Sequence, residues 1–366
     1  MAVQFFDLKR QNKALETELD NAIKSVVDSG SYILGKNVSA LENEFASLVG
    51  TKFAIAVASG TDALHLALRA AGVAPGDEVI TSPFTFVATA EAIIYCGAIP
   101  VFADIDPETF NLDASALKKK ITKKTRAILP VHLYGQACNM AEITYIAKEK
   151  ELLIIEDCAQ ATGAKYNETQ VGAFGDAGCF SFFPTKNIGC FGDGGMVTTN
   201  SEKTAQEIKV LRGHGSRKTY HYDLIGYNSR LDELQAAILR VKLPFLNTYL
   251  EKRRETARLY NAAFKALPLL CPKEIAGGYH TYNQYTLRYK DRDKLASHLK
   301  EAGIASMVYY PLSLHLQKAF ESFGYKIGDF PGAELAQSEV ISLPIFPELS
   351  KEEINATISS VLQFIN

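Results

Sequence analysis

The fold is decided by residues 53–105, FAIAVASGTDALHLALRAAGVAPGDEVITSPFTFVATAEAIIYCGAIPVFADI. Short apolar runs start near Phe53, Asp77 and Pro100, and a segment with helical character separates each run from the next. Strands that alternate with helices in this way are typical of a mostly parallel sheet whose faces are covered by helices. The stretch therefore predicts an α/β fold.

The same alternation continues along the chain and brings the number of predicted strands to seven, enough for one large doubly wound domain. A long predicted helix at residues 231–265 is interrupted by Pro244. We place a domain boundary there, with a large domain at residues 1–245 and a smaller C-terminal domain at residues 246–366. The further predicted strands are 127–132, 152–157, 179–183 and 194–200, and the further helices are 12–29, 140–150, 202–212, 291–302 and 350–363.

The composition is that of an ordinary globular protein. Hydrophobic residues make up 47% of the 366 residues and charged residues 22%, which excludes a mainly disordered or collagen-like chain. The formal charge of -2 gives no overall attraction to nucleic acid or to an acidic membrane. No stretch reaches the roughly 18 apolar residues of a membrane span, and the N-terminus lacks the pattern of a signal peptide, so we expect a cytoplasmic protein.

Several patterns that could indicate other functions have simpler interpretations. Residues 30–37 approach the spacing of a phosphate loop, but they follow a predicted helix, so we predict a turn. The glycines of residues 189–195 lack the last glycine of a dinucleotide fingerprint. The lysines of residues 118–124 close a predicted helix, which favours a solvated helix end over a nucleic-acid site. The histidines and cysteines lack the spacing of metal ligands, so we expect no metal site.

Three groups of polar residues follow predicted strands of the sheet. Asp157 ends an apolar run, and the carboxyl edge of a central parallel strand is where open α/β sheets bind ligands. Lys186 follows residues 179–183, where burial would lower its pKa and make it a candidate Schiff-base nucleophile. The third group, Ser59-Gly60-Thr61-Asp62, precedes a helix, and backbone N–H groups at a helix start bind phosphate.

Each group also has an ordinary structural interpretation. Asp157 could cap a helix, Lys186 could lie at a strand end with its amine in water, and Ser59 could be a plain N-cap. Together, however, an anion cradle, a carboxylate and a desolvated lysine are what pyridoxal 5'-phosphate needs for its phosphate, ring nitrogen and aldehyde. The combination predicts this cofactor, with Lys186 also moving the substrate proton.

Five motifs occur in order along the chain: Ala58-Ser-Gly-Thr-Asp-Ala63, Glu156-Asp-Cys-Ala-Gln160, Ser181-Phe-Phe-Pro-Thr-Lys186, Gly192-Asp-Gly-Gly195 and Asn228-Ser-Arg-Leu-Asp232. This ordered set resembles the DegT/DnrJ/StrS family of sugar-nucleotide aminotransferases. The resemblance covers nearly the whole chain.

The resemblance implies a type I pyridoxal-phosphate fold, with a seven-stranded large domain, a smaller C-terminal α+β domain, and a homodimer with shared active sites. It implies that Lys186 and Asp157 are catalytic, as the Schiff-base lysine and the partner of the pyridine nitrogen. The implied cofactor contacts, besides these two residues, are Gly60, Thr61, Asp62, Phe86, Gln160, Ser181 and, from the other subunit, Asn228.

The resemblance also implies a reaction. An amino group, generally from glutamate, passes through a pyridoxamine phosphate form to a keto carbon of a hexose attached to a nucleoside diphosphate. Residues 214–232 are most similar to those of enzymes that aminate C3. The segment around Tyr309 and Tyr310 corresponds to one that reaches into the sugar pocket, and many relatives have histidine in place of Tyr309. The predicted substrate contacts are Arg212, His214, Arg230, Tyr309, Tyr310 and His315.

Three other functions stay open from the sequence. Some relatives dehydrate their substrate, and these carry histidine in place of the lysine, so Lys186 favours amino transfer. A non-sugar ketone such as a cyclitol is a second possible substrate. The third alternative is a non-catalytic regulatory protein on the same scaffold, which the intact Lys186, Asp157 and Ser181 disfavour.

Overall fold

The computed structural model describes residues 2–365, which contain fourteen strands. In chain order these are β1 (Phe53–Val57), β2 (Glu78–Thr81), β3 (Ile99–Phe102), β4 (Thr125–Leu129), β5 (Leu153–Asp157), β6 (Lys165–Tyr166), β7 (Thr169–Gln170), β8 (Ala177–Ser181), β9 (Gly195–Thr199), β10 (Ser216–Lys218), β11 (His221–Tyr222), β12 (Gly278–Tyr279), β13 (Tyr285–Arg288) and β14 (Val340–Leu343).

The same residues form thirteen α-helices. They are α1 (Leu8–Ala14), α2 (Glu16–Ser29), α3 (Lys36–Val49), α4 (Gly60–Ala70), α5 (Ala88–Tyr95), α6 (Ala114–Lys120), α7 (Met140–Lys150), α8 (Glu202–Arg212), α9 (Glu233–Lys242), α10 (Leu246–Phe264), α11 (Arg292–Glu301), α12 (Pro331–Glu339) and α13 (Lys351–Ile365).

Seven strands build the central sheet, in the order β1-β9-β8-β5-β4-β2-β3. Strand β9 is antiparallel to both of its neighbours, and the other six strands run in one direction. The predicted α/β fold with a mostly parallel seven-stranded sheet is confirmed. Helices α4, α5 and α8 cover one face, and α3 and α7 pack on the other, so the inner strands are buried on both sides.

Two sequence interpretations outside the sheet are also confirmed. Residues 30–35 form a turn between α2 and α3, and the Glu233 carboxylate accepts the N–H groups of Asn37 and Val38 at the start of α3. The long helix is interrupted at Pro244, where a short 3₁₀ turn separates α9 from α10. The predicted helix at residues 12–29 is in fact two helices that meet at Leu15.

A second core lies around α10, α11, α13 and the β13–β14 pair. Tyr260, Tyr285, Leu343 and Val361 are fully buried in it. Val3 packs into the same core and pairs with Ile304 through a β-bridge. The predicted domain boundary at residue 245 stays a prediction, and the C-terminal core contains a residue from the N-terminus as well. Over residues 2–365, none of the helices combines the length and the apolar character that crossing a bilayer requires.

The sheet depends on glycine at the start of β9, and this makes Gly195→Ala informative. A Cβ atom there would lie 2.2 Å from the Ser59 carbonyl oxygen. We expect the substitution to destabilise the fold by about 1–3 kcal/mol, since backbone must move to admit the methyl group. Urea unfolding measures the change. In the control, Gly213→Ala, the atom nearest to the added Cβ is 3.5 Å away, so no clash is expected. A similar loss of stability in both variants would contradict the steric explanation.

Candidate active site

The site lies at the edge where β1, β5 and β8 end. Gly195 pairs with both Val57 and Ser181, which places the start of α4 directly beside the end of β8. A Cβ atom on Gly60 would lie only 2.6 Å from the Ser181 Cβ, so glycine is needed for this close approach.

A small polar cradle forms at this meeting point. Ser59 caps α4, and its hydroxyl accepts the N–H of Asp62 at 3.1 Å. The N–H groups of Gly60 and Thr61 open the helix, where N–H groups need acceptors from outside it. The Asp62 N–H is therefore already used by Ser59, and its carboxylate accepts the Ser229 hydroxyl at 2.6 Å, so the N–H groups that the helix start offers a ligand are those of Gly60 and Thr61. Together with the nearby Ser181 hydroxyl, the cradle has the donors that an anion requires.

Asp157 is the buried acid of the site, with 5% of its surface exposed. Burial raises the pKa of its carboxyl, and two hydrogen bonds oppose that effect. Oδ1 accepts the N–H of Ala159 at 3.1 Å, and Oδ2 accepts the hydroxyl of Thr89 at 2.8 Å.

Lys186 lies in the turn after β8, where its N–H donates to the Phe183 carbonyl. Burial lowers the pKa of its amine to about 8, and the negative charge of Asp157 counteracts part of that fall. An unperturbed lysine titrates near 10.4 and is almost fully charged at physiological pH. With its lower pKa, Lys186 has a larger neutral fraction there, and the neutral amine is the nucleophile.

Gln160 joins the sheet edge to the C-terminal half of the chain. Its Oε1 accepts the backbone N–H of Tyr134 at 2.7 Å, which fixes the orientation of the amide. Its Nε2 donates to the Tyr310 hydroxyl at 3.1 Å. The Tyr310 ring lies 6.4 Å from the ring of Phe86, whose side chain is 57% exposed. An exposed aromatic face beside a buried acid and amine suits a planar heterocycle.

Comparison with known proteins identifies the family. The model of the DegT/DnrJ/EryC1/StrS aminotransferase family matches residues 13–362. The chain belongs to this family. The resemblance indicated by the five motifs is therefore confirmed, and the protein is an aminotransferase.

Its relatives include enzymes of known reaction. The UDP-N-acetyl-3-dehydro-alpha-D-glucosamine 3-aminotransferase of Acidithiobacillus ferrooxidans is 46% identical over 99% of this chain and 97% of its own length. A protein of Geobacillus stearothermophilus named pleiotropic regulatory protein is 49% identical over 100% and 99%. The crystal structure of S. venezuelae DesV with a ketimine intermediate superposes with a TM-score of 0.98, at 40% identity and 100% and 99% coverage.

Two residues of this aminotransferase that we predicted to bind substrate lie inside the protein. Nη1 of Arg212 donates to both the Glu42 carboxylate and the Ala56 carbonyl at 2.6 Å, and this internal pair favours a structural role over a diphosphate contact. His315 is 1% exposed and packs against Phe330 beside Glu334. Burial lowers the pKa of His315, and a buried neutral imidazole is poorly placed for a sugar contact.

The other predicted substrate contacts have different positions. Tyr309 and Tyr310 are half-buried near the sheet edge. Arg230 is half-buried beside the buried Ser229. His214 and Asn228 are exposed where the chain enters and leaves the β10–β11 hairpin.

A buried network behind Asp157 has the residue types of a metal site. Within residues 2–365, ligand atoms of His132, Glu156 and Cys158 lie within 4.8 Å of one another. The Glu156 carboxylate accepts three backbone N–H groups and approaches His132 Nε2 at 3.1 Å. His132 Nδ1 accepts the N–H of Cys138 at 3.0 Å. These hydrogen bonds give the network a structural role in holding the end of β5.

The sequence interpretation missed Thr89, which contacts Asp157 directly. A threonine in the first turn of a helix looks unremarkable by pattern. Its only signal is a hydroxyl at a position of α5 that is fully buried, where an apolar residue would be expected.

Arg212→Met separates a structural from a substrate-binding role. Since the Glu42 carboxylate would lose its buried partner, we expect the free energy of unfolding to fall by about 3–5 kcal/mol. The Michaelis constant for the sugar substrate should stay unchanged. The control, Arg217→Met, removes an exposed pair with Glu207 and should cost at most about 1 kcal/mol. A raised Michaelis constant with unchanged stability in Arg212→Met would restore the substrate role.

Proposed function

We propose that this chain transfers an amino group from glutamate to C3 of a nucleotide-linked keto sugar, with pyridoxal 5'-phosphate as its cofactor. The observation that carries the proposal is that a desolvated Lys186, with a pKa of about 8, lies within the electrostatic influence of the buried Asp157. The 3-aminotransferase named above acts on a UDP sugar, and its 46% identity supports the nucleotide-sugar substrate and the C3 position.

The residues of the sheet edge suit each part of this cofactor. The N–H groups of Gly60 and Thr61 and the Ser181 hydroxyl would hold the phosphate, since a helix start attracts anions. Phe86 would cover one face of the ring, and Asp157 would pair with its nitrogen. The second N–H of the Gln160 amide would reach the ring hydroxyl, because the first is used by Tyr310. When bound, the cofactor supplies an electron-withdrawing ring that makes the α-proton of the donor acidic.

The chain itself supplies proton transfer and charge. Neutral Nζ of Lys186 would accept the proton of the donor α-carbon. The charged amine would then return this proton to the carbon on the other side of the transferred nitrogen. In its charged form, Asp157 would favour a protonated ring nitrogen. The low pKa of Lys186 suits both steps, because both protonation states are populated near neutral pH.

We also propose that the active enzyme is a homodimer. The β10–β11 hairpin exposes Tyr220 at 85%, Tyr222 at 63% and, just beyond it, Ile225 at 86%. Large apolar side chains grouped on one protruding segment are typical of an interface. In such a dimer Asn228 of the partner would contribute to the site. One relative is named as a regulatory protein, so a regulatory role is a second candidate function for this chain. The presence of both Lys186 and Asp157 supports catalysis instead.

The Lys186→Arg variant tests the proposed function. Wild-type protein with bound cofactor should absorb visible light and lose that absorption when glutamate is added. The variant should lack the lysine-linked absorption and lose at least about 10²-fold of the transfer activity, because arginine cannot act as the nucleophile or proton carrier.

The matched control is Lys203→Arg, the same change on an exposed position of α8. It should behave as wild type. If the wild-type protein neither binds the cofactor nor responds to glutamate, the proposal is wrong, whereas a keto sugar that is dehydrated instead of aminated would support the dehydratase alternative.

The pKa of Lys186 predicts how cofactor capture depends on pH. Only the neutral amine attacks an aldehyde, so the capture rate of cofactor-free protein should rise about tenfold per pH unit below 8 and level off above it. Stopped-flow absorbance measures this profile. In Asp157→Asn the midpoint should move to lower pH, because the negative charge that raises the pKa of Lys186 is gone. A midpoint near 10 in the wild type would contradict the desolvated lysine.

A further inference from the structure

Two threonine hydroxyls form a short chain that ends on Asp157. Thr89 Oγ1 lies 2.8 Å from Asp157 Oδ2, and Thr85 Oγ1 lies 3.0 Å from Thr89 Oγ1. Thr85 and Thr89 are 3% and 1% exposed, so water does not compete for these contacts. The hydrogen bond from Thr89 opposes the effect of burial on the pKa of Asp157, and the Thr85 hydroxyl has no role in the chemistry described so far.

In its charged form, Asp157 would fix the direction of both hydrogen bonds. A carboxylate without a proton only accepts, so Thr89 must donate to Asp157. The Thr89 oxygen is then left to accept, and Thr85 donates to it. Hydrogen bonds arranged head to tail in this way polarise one another, which strengthens the contact with the charged end.

The position of Thr89 in α5 supports a specific role. A threonine inside a helix commonly turns its hydroxyl to the carbonyl four residues earlier. Thr89 donates across to β5 instead, over 68 residues of sequence. It also lies in the first turn of α5, where the helix dipole favours a negative charge.

We propose that Thr89 is a positioning residue that holds the Asp157 carboxylate ionised and correctly oriented, and that Thr85 reinforces it through the second hydrogen bond. This inference rests on the proposed function, in which Asp157 pairs with the ring nitrogen of the cofactor. Thr89 and Thr85 themselves touch neither cofactor nor substrate in this assignment.

The segment that carries Thr85 would also connect Asp157 with Phe86, the residue proposed to cover the cofactor ring. Thr85 is the neighbour of Phe86, and the loop is held by the Ser82 hydroxyl, which accepts the N–H of Phe84 at 3.0 Å. Leu314, from the C-terminal part of the chain, donates its N–H to the Pro83 carbonyl at 2.8 Å. The hydroxyl pair and Phe86 therefore share one fixed support.

Three substitutions test the assignment. Thr89→Val keeps the shape and removes the donor, Thr89→Ser keeps the donor, and Thr85→Val removes only the outer hydroxyl. We expect kcat to fall about tenfold in Thr89→Val with the Michaelis constant for glutamate nearly unchanged, because a hydrogen bond to a charged group is lost. Thr85→Val should lose about two- to threefold. Thr89→Ser should stay close to wild type.

A second measurement does not require bound cofactor. The carboxyl ¹³C signal of Asp157, assigned by its disappearance in Asp157→Asn, reports the titration of this group in cofactor-free protein. Loss of the Thr89 donor should raise the pKa of Asp157. Thr81→Val is the matched control, since it removes another fully buried hydroxyl, which donates to the Leu129 carbonyl, and should leave the titration unchanged.

Two results would overturn the assignment. The first is an Asp157 titration and a kcat that are the same in Thr89→Val as in the wild type. The second is a Thr89→Ser variant that behaves like Thr89→Val, since that would mean the methyl group matters and the hydroxyl does not. Failure of the wild type to bind the cofactor would reject the proposed function alone, because the titration of Asp157 still tests the hydroxyl contact.

Discussion

The site depends on the burial of one carboxylate and one amine whose charges influence each other. Burial raises the pKa of Asp157 and lowers that of Lys186, so each group is pushed toward its neutral form. Hydrogen bonds from Thr89 and Ala159 pull the acid back toward its charged form, and the charge of the acid in turn raises the pKa of the lysine. These opposing effects act on an acid and an amine at one sheet edge, and amino-group chemistry requires a charged acid and a partly neutral amine there.

The architecture brings these groups together from distant parts of the sequence. Six strands run in one direction, so their carboxyl ends share an edge, and β9 inserts between β1 and β8 with a glycine at the point of closest approach. The C-terminal half then reaches this edge through Tyr310, which receives a hydrogen bond from Gln160. The sheet fixes the acid and the cradle, while the later residues add Tyr310 beside Gln160 and Phe86.

Much of this could be predicted from the sequence, for physical reasons. Strands that are buried on both faces are continuous apolar runs, so all seven strands of the sheet could be predicted. The polar residues that follow several of them indicated the edge of the sheet where the site lies. Arg212 and His315 show the limit. Their partners, Glu42 and Glu334, lie at other places in the sequence, so no local pattern distinguishes an internal hydrogen-bonded pair from a ligand contact. Thr89 escaped notice because its acceptor lies on another strand.

The packing of Val3 against residues near 260, 304 and 361 bears on how the chain is made. Arg10 adds a two-pronged pair with Glu353, at 2.7 Å for each contact. A nascent polypeptide emerges from the ribosome in order, and its early regions generally fold first. This core, however, joins the earliest residues to some of the latest, so the central sheet can form during translation while the second core waits until synthesis has passed residue 350.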